Sequence, residues 1–303
     1  MKPLLSGTWI VIVCLATYGL VVAGKVQAEE SDKAPPYRGI YIDKFTTILG
    51  NASREDSVLR WCVGHGFNAI SLYDLKDIIG RPGAQDSLAR FIRKARLDYG
   101  IAEIAAVRGI EQDYEQTAQY DQSRYEPSER FTAYNLENEW WNGGPDCDFG
   151  CYTRILEQMQ RQARATTPPK TTEAYIGWFI NPDQQEAKQA RTLVRHLDRI
   201  MVHAYRKVPE FGYLRERLMY LGQEAQKQNR TLDVIVLFSA EPEFMADYYR
   251  VTDQNHTFEA SYQNLVDQFT KADFDGKANI RLIGYQLFAY TFASAARPHI
   301  SKQ

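Results

Sequence analysis

Histidine and cysteine are scarce in this 303-residue chain, with five scattered histidines and four cysteines. Dispersed imidazoles disfavour a metal-dependent phosphodiesterase or deacetylase, which needs clustered His and Asp ligands. Basic runs are absent and the formal net charge is −2, so nucleic acid is not an expected partner. No glycine-rich fingerprint follows the first apolar strand, which weighs against a dinucleotide fold. No repeat is visible beyond a strand–helix unit. We expect neither a metal nor a cofactor.

One long hydrophobic run is present, at the start. Met1-Lys2 is followed by an almost uncharged stretch from Leu4 to Gly24, then by the small-residue pattern Val26-Gln27-Ala28. That pattern predicts a signal peptide over 1–28, cleaved after Ala28. The competing reading is a retained membrane anchor, since the run approaches the length of a spanning helix. Cys14 lies mid-run, which argues against a lipoprotein signal. Residues 29–36, ending in Pro35-Pro36, read as a linker. Loss of Lys2 and Lys25 would take the charge from −2 to −4. The expected location is secreted or periplasmic, with membrane contact only if the apolar segment stays. Export lets Cys147 and Cys151 form a small disulfide around Asp148-Phe149-Gly150. Cys62, among apolar neighbours, reads as a buried free thiol.

Residues 37–303 alternate short apolar runs with longer amphipathic ones. Strands are expected at 37–43, 67–73, 101–107, 131–141, 173–179, 199–205, 232–238 and 280–288. Helices are expected between them, the first near 53–65 with Ser53 as its N-cap. Eight βα units in this length predict an α/β fold that is a single (β/α)8 TIM barrel. The stretch 110–130 reads as a long, charged, tyrosine-rich loop. Asp74, Lys76 and Asp77 read as a solvated loop.

Barrel enzymes place their chemistry at the C-terminal strand ends, and here those ends are polar. Asp43 ends the first strand, Tyr73-Asp74 the second and Arg108 the third. Glu137, Asn138 and Glu139 end the fourth, followed by Trp140 and Trp141. Trp178 and Asn181 lie at the fifth, His203 and Tyr205 at the sixth, Glu241 and Glu243 after the seventh. Gln286 to Tyr290 close the eighth. Strand alternation would put Asn135, Glu137 and Glu139 on one face. Two carboxylates that close tend to keep one proton between them near neutral pH, as a glycosidic general acid requires. Each residue alone has a plainer reading. Arg108 could merely neutralise the fourth-strand acids, His203 could be a core histidine, the tryptophans could pack under loops, and Glu241-Pro242-Glu243 could be a turn.

Two resemblances to carbohydrate-active barrels follow. Thr132, Asn135, Glu137 and Glu139 align with the Asp-x-x-Asp-x-Asp-x-Glu of family 18 glycoside hydrolases, with only the last Glu matching fully. Met201 and Tyr205 resemble that family's Met-x-Tyr at different spacing. Its eighth-strand tryptophan is absent, leaving Phe288 or Tyr290 in its place. Asn138-Glu139, His203-Ala204-Tyr205 and Glu241 are similar to the corresponding features of clan A retaining glycosidases, with Pro242 where a glycine is usual. Both resemblances imply Glu139 as proton donor. The second implies Glu241 as nucleophile, about 5 Å away in a retaining enzyme, with Asn138 on a sugar hydroxyl and Tyr205 orienting Glu241.

The expected function is thus an exported glycoside hydrolase acting on an oligo- or polysaccharide. Glu139 donates the proton, and Glu241 or Glu137 acts at the anomeric centre. Asp43, Asn138, Trp140, Trp141, Trp178, His203, Tyr205 and Gln286 are the expected substrate contacts. The alternative is a catalytically inactive carbohydrate-binding barrel.

Overall fold

The computed structural model describes residues 36–143, 147–179 and 185–296. The expected signal peptide, Cys14, nearly all of the linker and Asn181 lie outside them. The chain from Tyr37 onward runs β1 (Tyr37–Ile42), α1 (Ala52–Gly64), β2 (Ala69–Leu72), α2 (Leu75–Ile79), α3 (Pro82–Leu97) and β3 (Glu103–Arg108). It continues through α4 (Glu111–Ser123), β4 (Ala133–Leu136), α5 (Phe149–Ala165), β5 (Thr171–Ile176), α6 (Glu186–His196) and β6 (Arg199–His203). It ends with α7 (Gly212–Lys227), β7 (Leu232–Ser239), α8 (Ala246–Tyr249), α9 (Phe258–Lys271), β8 (Ile280–Phe288) and α10 (Tyr290–Ala296). The eight strands are parallel and close into a barrel in sequence order, β8 pairing with β1. This is the TIM barrel the alternation predicts.

Alternation along each strand separates two environments. Outward residues such as Ile40, Ile42, Ile70, Leu72, Ile104 and Ile200 are buried beneath the helices. Inward residues are unusually polar. Tyr41 Oη lies 3.3 Å from Met201 Sδ and 3.4 Å from Asn135 Oδ1, contacts that reach across the lumen from β1 to β6 and β4. Asn135 donates to Glu173 at 2.8 Å. Arg199 then bridges Glu173 and Glu103, at 2.6 Å to each. A fully buried carboxylate survives here because a guanidinium and an amide both satisfy it.

Several local expectations need correction. Residues 110–130 are not a loop. They hold α4, whose buried face is Tyr114, Thr117, Ala118, Tyr120 and Asp121. Residues 75–79 form α2, which buries Leu75, Ile78 and Ile79, so Lys76 and Asp77 decorate a helix. The cap of α1 is Asn51, whose side chain accepts from the Arg54 N–H at 3.1 Å, in place of Ser53. β4 stops at Leu136, and Trp140–Asn142 is a 3-10 turn. Cys147 and Cys151 are bonded, with Cα atoms 5.2 Å apart, and Cys62 is free and buried. Among the described residues no helix is long and apolar enough to cross a membrane.

Candidate active site

The polar residues at the strand ends do not all reach one place. Glu137 is the next inward position after Asn135, just beyond β4, where its backbone N–H still bonds the Arg108 carbonyl at 2.9 Å. The phenols of Tyr73, after β2, and Tyr175, on β5, lie beside its carboxyl group. Burial, then the charges of Glu139 and Asp74, push its pKa up to about 7 against those two phenols. Glu139 is exposed. Its Oε1 accepts from Tyr175 at 3.1 Å, and its Oε2 from the Asn142 amide. Among the described residues it forms no ion pair. Tyr175 therefore donates to Glu139 while its phenol also lowers the pKa of Glu137, and the Glu139 charge raises it.

Glu241 follows β7 and is half-buried. Ser239 Oγ donates to its Oε2 at 2.8 Å and accepts from its N–H at 3.1 Å. Burial raises its pKa, as do the neighbouring charges of Glu243, Asp43 and Glu139. Tyr205 lies within the field of all three acids. Its pKa stands well above the ordinary phenol value through burial, Tyr41 and the fields of Glu241, Glu139 and Glu137 together. The three acids thus sit at strand ends close enough for their charges to act on one phenol. Among the described residues no cluster of three or more His, Cys, Asp or Glu is arranged to hold a metal ion.

His203 is sandwiched between Tyr205, at 4.0 Å and 6°, and Tyr175, at 5.0 Å and 15°. Burial, then Arg217, lowers its pKa to about 3, so the imidazole is neutral. Its Nε2 is buried with no hydrogen-bond partner among the described residues. Trp141 packs edge-on against His203 at 5.9 Å and lies 6.1 Å from Trp178. Trp178 is 46% exposed.

Other expected site residues sit elsewhere. Trp140 is buried among Trp141, Phe149 and Tyr152 and has no free face for a ligand. Gln286 is fully buried inside the barrel, bonded to Tyr37 and Ser71, beneath the rim. Arg108 pairs with Asp113 of α4 at 2.7 Å, so it does not neutralise the fourth-strand acids. Asp43 accepts from the Thr291 N–H at 2.9 Å, anchoring α10 while its charge reaches Glu241. Asn138 is half-buried beside Glu137. Glu241-Pro242-Glu243 does form a turn, closed by the Phe244 N–H on the Glu241 carbonyl. Sequence reasoning overlooked Tyr175 and Asn142. The period of two from Glu173 marks Tyr175 as the next inward residue, whereas nothing in the sequence marks Asn142.

No protein-family model matches the chain, and no curated protein sequence does. Solved structures share its fold. The GH5_18 protein of Streptomyces cattleya in complex with GlcNAc superposes with a TM-score of 0.53 at 13% identity, over 84% of this chain and 70% of that one. Bacteroides uniformis β-glucuronidase 2 gives 0.51 at 12% identity, over 84% of this chain but 30% of its own length. The 2,3-dimethylmalate lyase of the PEP mutase/isocitrate lyase superfamily gives 0.44 at 10% identity, over 89% and 81%. At such identities the likeness is one of fold, and a barrel of this kind hosts many chemistries.

Proposed function

We propose that this chain is an exported glycoside hydrolase, with 37–303 as its catalytic domain, acting on an oligo- or polysaccharide. The observation that supports it is the grouping of the acids: Tyr175 donates to Glu139 and lies beside Glu137, and the charges of Glu137, Glu139 and Glu241 all act on a second phenol, Tyr205. Burial and the neighbouring Glu139 charge raise the Glu137 pKa to about 7, so Glu137 holds a proton near neutrality. Glu139 is the member that faces solvent, so it delivers that proton to the leaving glycosidic oxygen. Glu137 is its proton-holding partner. Glu241, fixed by Ser239, attacks the anomeric carbon and forms a glycosyl ester. Water, deprotonated by Glu139, then hydrolyses the ester with net retention. The Cys147–Cys151 disulfide is compatible with an oxidising, extracytoplasmic location. GlcNAc and a cyclophellitol carboxylate bound to structural neighbours make sugars the ligand class to try first.

The test is Glu139→Gln against a panel of aryl glycosides and natural glycans. Loss of general-acid catalysis should cost about 10²–10⁴ in rate, with unfolding unchanged. Full activity would remove this reading. Full activity in Glu241→Gln instead would leave Glu137 and a substrate acetamido group as the agents. One observation favours a second reading, a glycan-binding barrel without turnover. Both oxygens of Glu139 already have protein partners. Saturable binding on a glycan array with no product from any bound glycan would support it.

A further inference from the structure

A cavity of ≈550 Å³ opens between the loops after β5 and β6 and the first turns of α7. That volume falls within the roughly 300–1,000 Å³ of ligand pockets. Its aromatic wall is Trp178, Phe179, Tyr213 and Tyr220. Its polar wall carries both signs, with Arg206 and Arg217 against Glu186, Glu210 and Glu216.

The wall is built with care for orientation. Arg217 is buried and pairs with no carboxylate among the described residues. Its guanidinium donates to the carbonyls of Gly177 and Tyr213 and lies over the Tyr213 ring at 4.3 Å. Arg206 covers the same ring at 4.0 Å and stands 3.7 Å from Glu210. Tyr213 thus has two cations over its ring. Gly177 belongs to both regions, since its carbonyl holds Arg217 and its α-carbon lies against the Trp141 indole. Packing links the pocket wall to the acid cluster, since Trp178 meets Trp141, Trp141 meets Tyr175, and Tyr175 donates to Glu139.

We propose that this pocket is a sugar subsite that binds an uncharged pyranose ring of the same glycan whose scissile bond lies at Glu139. A flat ring with C–H groups on its faces and hydroxyls at its edge matches exposed indole surface bordered by donors and acceptors. Carboxylates and guanidiniums both line the wall, so neither sign of ligand charge is matched by the whole pocket. The identity of the glycan rests on the hydrolase reading. The existence of the subsite does not.

The experiment uses the full chain carrying Glu139→Gln, titrated calorimetrically with triacetylchitotriose, β-1,4-mannotriose, cellotriose and trigalacturonate. At least one neutral trisaccharide binds saturably, and adding Trp178→Ala weakens it roughly tenfold, the equivalent of one lost aromatic contact. Trp178 is half-exposed, so its truncation leaves the fold intact. Arg206→Ala, also at an exposed position, weakens it too. The proposal is overturned if no neutral trisaccharide binds, if Trp178→Ala changes nothing, or if trigalacturonate binds most tightly. Binding that depends on Trp178 without wild-type turnover of any bound sugar would support the subsite and defeat the hydrolase reading alone.

Discussion

At the scale of single residues the proposed chemistry turns on Glu137. Burial raises its carboxyl toward neutrality, the Glu139 charge adds to that, and two phenols oppose it. Between the unfolded carboxyl value of about 4.3 and about 7, the folded chain binds more protons at this site than the unfolded chain. The stability it contributes is present in full below that window and is lost as pH rises through it. Hydrolysis that needs the shared proton falls over the same upper limb. The sequence pattern expects Glu137 and Glu139 on one face of a strand, but β4 ends at Leu136 and Glu139 begins a 3-10 turn, so their proximity is set by the chain beyond the strand. The assignment of the shift was harder to read. Charge repulsion was the expected cause, but burial leads, and burial depends on Tyr73 and Tyr175 from other strands.

At the scale of elements, the loops beyond the strands decide what the acids face. A Cβ at Gly177 would stand 2.7 Å from Trp141 Nε1, and Trp141 is itself wedged against Tyr175 and His203. Gly177→Ala must displace the indole or the strand end. Overpacking of this kind costs about 1–3 kcal/mol, measurable by urea unfolding, together with lost sugar binding. An unchanged midpoint would show that the indole has room to move. Elements also mark where the sequence misled. In α4 the buried face uses tyrosines, Thr117 and Asp121, so its apolar stripe is disguised as a polar loop. Asp121 belongs there because Phe131 N–H, Tyr134 and Lys170 all converge on it, partners that lie outside the helix.

For the whole molecule, closure of the barrel followed from the alternation of eight short apolar runs with amphipathic ones. What filled the lumen did not. Tyr41, Asn135, Glu173 and Arg199 meet only because opposite strands face each other after closure, so their pairing has no local signature. Arg199 holds this network, with Glu173 fully buried beside it. Arg199→Met leaves that carboxylate uncompensated and should cost about 3–5 kcal/mol of stability. Denaturant unfolding checks this, and a change under about 1 kcal/mol, the scale of an exposed pair, would mean the network is not a structural keystone. The same network lies directly beneath the acids, so site and scaffold share Asn135's strand.

The most direct measurement is the side-chain carboxyl titration of Glu137 by ¹³C NMR, in the wild-type chain and in Glu139→Gln. It requires no knowledge of the sugar. A midpoint near 7 in the wild type, moving down when the neighbouring charge is removed, is the predicted result. A wild-type midpoint in the ordinary carboxyl range, unmoved by the substitution, would contradict a shared proton and with it the proposed acid catalysis.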